Sequence, residues 1–262
     1  MQLEIFQVDA FSAVPFGGNP AAVIPLEQWL PDDLLQRIAE ENNLSETAYF
    51  VRNGEVFDLR WFTPAVEVDL CGHATLAAAW VLFEQLGERA EVLRFSTRSG
   101  ELRVSRAADG RLAMDFPAKQ PVAVDIPEGL LAALGLGTAS AVYRSDDYVV
   151  MIDDASLLDA LEPDFVALSA FDVRGIAVTA PGRGFDFVTR WFGPRVGVNE
   201  DPVTGSAHTS LAPLWAARLG KPVLSCEQGG ARKGQLTCEV PGNGRVIILG
   251  LGALYLRGSI HI

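Results

Sequence analysis

Cysteine, histidine and methionine are scarce in this chain, with three of each among 262 residues. The cysteines, Cys71, Cys226 and Cys238, are odd in number and fit no zinc-ligand spacing. Free thiols of this kind suit a reducing compartment. No apolar run approaches the roughly 20 residues that a membrane-spanning helix needs. The opening MQLEIFQVDAF has no basic stretch leading into an apolar one, as a secretory signal would. The expected location is therefore the cytoplasm. Heptads, low-complexity tracts and long linkers are also missing, which argues against a fibrous or scaffold protein. Basic residues are in deficit: 21 Lys and Arg against 33 Asp and Glu give a net charge of -12 and a pI of about 4.7. A protein this acidic repels phosphate backbones, so nucleic acid is not an expected partner.

What remains is an ordinary globular composition, 49% hydrophobic and 21% charged. The length suits one large domain or two of about half its size, and the core needs no metal to hold it. Short alternating runs dominate and predict strands. They include residues 3–8, 21–25, 47–52, 56–62, 92–97, 101–105, 112–116, 148–152, 175–179 and 185–192, followed by 235–240, 245–249 and 252–257. Helices are fewer. Residues 31–41 open with Pro and two acids, which suits the helix dipole. Residues 73–86 are Ala-rich and nearly all apolar, so that helix is expected to be buried on every side. Residues 206–219 are its near copy.

That likeness belongs to an internal repeat. FDLRWFTP at 57–64 returns as FDFVTRWFGP at 185–194, GHATLAAAWVLFEQLG at 72–87 as GSAHTSLAPLWAARLG at 205–220, and RSGELRV at 98–104 as RKGQLTC at 232–238. The matches keep their order at offsets of 130, 133 and 134 positions. The expected fold class is α+β, with two pseudo-symmetric domains. Each is a barrel-like, mostly antiparallel sheet around a central apolar helix. The boundary is expected near residue 120, giving halves 1–120 and 121–262, with the final strand able to cross back.

Two similar halves would bring the loops before the buried helices, VDLCGHAT and EDPVTGSAH, face to face across a cleft. Helix N-termini with small residues bind carboxylates through free N–H groups, which suits an anionic ligand on an acidic protein. Plain capping by Thr204 and Ser206 is the competing reading. Under the repeat, His73 matches Ser206 and Cys71 matches Thr204, so the scaffold carries unlike polar groups. The helix dipole is expected to lower the pKa of His73. Glu46 lies between Ser45 and Thr47 at the mouth of an apolar strand, where a carboxylate loses solvation, and desolvation favours its protonated form. A solvated loop acid is the alternative. For Glu200 and Asp201 the competing reading is first-turn charges for the following helix.

The segments DAFSAVPFGGNPAAVI, NLSETAYF, RWFTP, LCGHATLAAAWVLF, GVNEDPVTGSAHTSLAP and KGQL run in order nearly end to end. In them the chain resembles the phenazine-biosynthesis isomerase-like (PhzF-like) family of the diaminopimelate-epimerase-like superfamily. The resemblance implies a homodimer that needs no metal or organic cofactor. It also implies isomerisation of a dihydro-hydroxyanthranilate by a carboxylate that moves a proton between carbons. Carried over by position, the acid/base residue is Glu46, with His73 and Asp201 beside it. The same resemblance implies that Asn19, Ser45, Gly72, Gly205 and Ser206 contact the substrate. Two other functions stay open: a two-base epimerase or racemase of an amino acid, and a non-catalytic small-molecule binder. Cys71 could serve the first, but its counterpart region 201–204 holds no second thiol.

Overall fold

A computed structural model describes residues 1–262 and divides them into two compact units. The first is Met1–Asp115 with Leu249–Ile262; the second is Phe116–Ile248. The division falls slightly before the expected one. The last strand does not belong with the second half, because it pairs along its length with the first strand of the chain.

The first unit comprises β1 (Gln2–Ala10), β2 (Asn19–Leu26), α1 (Asp32–Asn42), β3 (Glu46–Asn53), β4 (Val56–Phe62), β5 (Glu67–Val68), α2 (Gly72–Glu84), β6 (Val92–Thr97), β7 (Gly100–Arg106) and β8 (Leu112–Pro117). The sheet runs β1, β2, β3, β4, β6, β7, β8, with β5 appended to β4. The β2–β3 and β4–β6 pairs are parallel and the rest antiparallel. Helix α2 has no Asp, Glu, Lys or Arg before Glu84 and packs against β1, β2 and β3. Its side chains from His73 to Ala79 are all buried, as expected for a helix without a polar face. Helix α1 is amphipathic by contrast. It lays Leu35, Ile38 and Ala39 on a cluster with Ala22, Ile24 and Tyr49, and it ends on Asn43 in the left-handed region.

The second unit comprises β9 (Val122–Val124), α3 (Leu130–Leu134), β10 (Ala141–Arg144), β11 (Tyr148–Met151), α4 (Ala155–Asp159), α5 (Phe165–Ser169), β12 (Ile176–Pro181), β13 (Phe187–Gly193), β14 (Val198–Asp201), α6 (Gly205–Leu219), β15 (Val223–Gln228), β16 (Gly234–Glu239) and β17 (Arg245–Gly250). Its ladder repeats the first: β11–β12 parallel, β12–β13 antiparallel, β13–β15 parallel and β15–β16 antiparallel, with β14 appended to β13. Helix α6 is the counterpart of α2. Pro213 inside it cannot donate to the carbonyl of Thr209, and the N–H of Lys119 takes that carbonyl instead, at 2.9 Å. The closing strand β18 (Gly252–His261) pairs antiparallel with β1.

The Arg-Trp-Phe triplets show why the repeat persists. Arg60 donates from Nε and Nη2 to Glu67, both at 2.7 Å, and Arg190 donates from the same atoms to Glu200, both at 2.8 Å. Each fork ties the strand bearing the triplet to the short strand before the central helix. Glu200 is thus the partner of Arg190 rather than a first-turn charge for α6.

Candidate active site

Strand β2 begins with Asn19 and strand β3 with Glu46, and these two parallel strands are neighbours. Gly18 lets the chain turn into β2. Its φ is +61°, and a Cβ there would lie 2.0 Å from the carbonyl oxygen of Ala10. Helix α2 begins at Gly72, so His73 is in its first turn. The three elements bring Asn19, Glu46 and His73 together. Glu46 Oε2 lies 2.9 Å from His73 Nε2, close enough for an ion pair but without hydrogen-bond alignment. Both atoms are shielded from solvent and make no hydrogen bond. The side chains are 15% and 5% exposed, which leaves Glu46 as the more accessible of the two. On the other edge of the imidazole, Nδ1 is 3.2 Å from Asn19 Nδ2 and 3.5 Å from Cys71 Sγ. Ser45 Oγ donates to Asn19 Oδ1 at 3.2 Å, which orients the amide.

Charge in this cluster differs from the dipole argument. Burial opposes a charged His73, but Cys71 and Glu46 flank the ring and raise its pKa well above the ordinary imidazole value. The Cys71 thiol is pushed up to about 11 by burial and by the neighbouring Glu46, so it is neutral at neutral pH. The expected lowering is not found, because the groups flanking the ring on both edges outweigh burial. The donor atoms of Glu46, Cys71 and His73 lie within 4.8 Å of one another, a set able to hold a divalent cation. As placed, however, the imidazole turns Nδ1 to Cys71 and Nε2 to Glu46.

The second unit has its own constellation. Asp201 ends β14, and its Oδ2 accepts from Thr204 Oγ1 at 2.6 Å. Fully buried Gln228 fixes this turn: its Nε2 donates to the Asp201 carbonyl and to Thr204 Oγ1, and its Oε1 accepts from the Thr204 N–H, each at 3.0 Å. Gly205 and Ser206 then open α6. No side chain caps α6, and none caps α2, where Cys71 holds the cap position. Capping by Thr204 or Ser206 is therefore absent, and both helix starts keep the amides that an anion would use. His208 packs against Phe187, directs Nδ1 to the Thr204 carbonyl at 3.1 Å, and is lowered to about 4 by burial.

Two residues of this second constellation escaped the sequence reading. Arg174 donates from Nε and Nη2 to the two oxygens of buried Asp147, at 2.9 and 2.5 Å, and from Nη1 to Ser206 Oγ at 2.6 Å. Trp191 Nε1 also donates to Asp147, at 3.1 Å. The signal was faint: Arg174 lies two residues before β12 and Ser45 one before β3, but the recognised repeats did not reach that segment. The ladders supply the match. Ala48 faces Trp61 and Ala177 faces Trp191, so Glu46 corresponds to Gly175 and Ser45 to Arg174. A Cβ on Gly175 would sit 2.2 Å from the Trp191 ring, which leaves no room for an acid there. The carboxylate at the strand start is thus confined to the first unit.

Comparison with known proteins agrees with this architecture. The family described as "phenazine biosynthesis-like protein" matches residues 8–258. An uncharacterized isomerase of Pseudomonas aeruginosa is 63% identical, with all of both chains covered. The crystal structure of a PhzF-family phenazine biosynthesis protein of Enterococcus faecalis superposes with a TM-score of 0.96 at 45% identity, covering all of both chains. A hydroxyproline epimerase of Agrobacterium vitis shares the fold alone, at a TM-score of 0.59 and 13% identity, over 99% of this chain and 92% of its own. The duplicated sheet, the paired central helices and these matches together establish that the chain belongs to the phenazine biosynthesis-like family, with the α+β fold of the diaminopimelate-epimerase-like proteins.

Proposed function

We propose that this enzyme of the isomerase and epimerase class is a cofactor-independent isomerase. In this reading Glu46 takes a proton from carbon on a small carboxylate-bearing substrate and returns it at another position. The observation that carries it is the Glu46 carboxylate oxygen, solvent-shielded and 2.9 Å from His73 without an aligned hydrogen bond. A carboxylate in that state is available to a carbon acid, and positioned bases of this kind contribute roughly 10²–10⁴-fold. His73, with its Nδ1 edge toward Asn19 and its Nε2 edge toward Glu46, places a ring N–H beside the carboxylate that moves the proton. Asn19 and Ser45 fix its ring, and Asp201 holds a polar group of the substrate. The amides that open a central helix are the candidates for taking the carboxylate, Gly72 in the first unit and Gly205 and Ser206 in the second. The proposed setting is a homodimer in the cytoplasm.

A two-base epimerase is less well supported. Cys71 is a neutral buried thiol at neutral pH, Thr204 stands at its repeat position, and Gly175 stands opposite Glu46 in the repeat. The test uses two variants with dihydro-hydroxyanthranilate and a panel of cyclic amino acids. Glu46→Gln is expected to lose turnover while keeping binding and fold; Cys71→Ala is expected to keep turnover. An active Glu46→Gln enzyme would rule out the role given to Glu46. Binding without turnover by the unaltered protein across the whole panel would favour a non-catalytic binder.

A further inference from the structure

The Arg174 cluster has no role in the proton transfer described above, yet it is built to a close specification. The guanidinium is held in its plane by the bidentate bond to Asp147, whose side chain is only 5% exposed. Trp191 secures Asp147 from the other side, and the Arg174 guanidinium carbon lies 5.4 Å from the Trp191 ring centre. Three elements therefore position one donor, Nη1, on Ser206 Oγ. A hydroxyl oxygen that accepts from a guanidinium must point its own proton elsewhere, and the charged donor strengthens that proton as a donor in turn.

The first unit has matching wiring. Ser45, the register counterpart of Arg174, reaches through Asn19 to His73, the repeat counterpart of Ser206. In both units the residue at this strand start orients a polar side chain in the first turn of the central helix. In the second unit that side chain is flanked by the uncapped amides of Gly205 and Ser206.

We propose that Arg174 is a positioning residue which, through Ser206, makes the start of α6 selective for a carboxylate over a neutral group of the same shape. This deepens the proposed function and rests on it for the presence of a carboxylate in the substrate. Because Asp147 balances the guanidinium charge, the selectivity arises from a directed hydrogen bond rather than from a general positive field. Lysine at this position keeps the charge but cannot serve Asp147 bidentately and Ser206 together.

The test compares the affinity for 3-hydroxyanthranilate, the stable aromatic relative of the dihydro compound, with that for its carboxamide, by calorimetry. The unaltered protein is expected to prefer the acid by about tenfold to a hundredfold. Ser206→Ala leaves the Arg174–Asp147 pair intact, and the double variant Arg174→Gln/Asp147→Asn avoids an unpaired buried carboxylate. Each is expected to bring the preference close to unity through weaker binding of the acid, with the amide little affected. Arg174→Lys is expected not to restore it. An unchanged preference in Ser206→Ala overturns the proposal, even if the arginine variants fail to fold. Full rescue by lysine, or no preference in the unaltered protein, also overturns it. The outcome is separable from the acid/base role. An active Glu46→Gln enzyme refutes that role without altering the acid-to-amide preference, and a lost preference in Ser206→Ala stands whatever Glu46 does.

Discussion

His73 lies in the first turn of α2 with Glu46 at one edge of its ring and Cys71 at the other. A histidine in the first turn of a helix meets a positive dipole, and that argument is sound in isolation. Here burial also opposes charge, yet Cys71 and Glu46 reverse the outcome. The folded state therefore holds the proton more tightly than the unfolded chain does. That linkage stabilises the fold fully below the ordinary imidazole pKa and is lost as pH rises through the raised one. The gap in melting temperature between the unaltered protein and His73→Asn should thus be wider at about pH 6 than at about pH 9. A gap that widens with pH would contradict the assignment. Glu46, Asn19 and His73 were singled out through the family-like segments that hold them, since the residues alone suited a solvated acid and a structural histidine equally. Arg174 and Asp147 were not, because ordinary charged residues beside a strand carry no marker until the ladder register places them.

Among the elements, the two central helices and most strands were readable from periodicity, since a wholly apolar Ala-rich helix has few alternatives to burial. Several short pieces were missed, and two of the strands among them carry polar residues. Strand β14 reads VNED and is held by its pairing with β13 and by the Arg190–Glu200 fork. Strand β15 alternates Leu224, Cys226 and Gln228 inward, and a buried glutamine does not announce a strand. The asymmetry between the units also lies at this scale. Gly175 leaves space for the Trp191 indole, so Gly175→Ala pushes a methyl into a rigid ring. The expected cost is about 1–3 kcal/mol of unfolding free energy, read from urea denaturation. An unchanged midpoint would mean that Trp191 moves freely and that an acid could be housed there after all.

The whole molecule is duplicated but not cleanly cut. The second unit is continuous in sequence and has its own cluster around Leu130, Val150, Ile176 and Phe192. The first depends on β18, which returns from the far end of the chain to cover β1. A fragment of residues 1–115 is therefore expected to stay unfolded by circular dichroism, because β1 would be left as a bare edge. Addition of a peptide of residues 249–262 should restore strand signal. A folded 1–115 fragment would show that the returning strand is dispensable. The sequence repeat gave two halves but could not assign that strand, since its alternation suits either one. No helix is long and apolar enough to cross a membrane.

The account as a whole turns on one group moving one proton, and isotope exchange reads that directly. Dihydro-hydroxyanthranilate and cyclic amino acids would be incubated with the enzyme in deuterium oxide and followed by proton NMR. The unaltered protein should place deuterium on carbon in at least one of these acids, and Glu46→Gln should slow that exchange by about a hundredfold or more. Equal exchange rates in the two proteins would contradict the central claim.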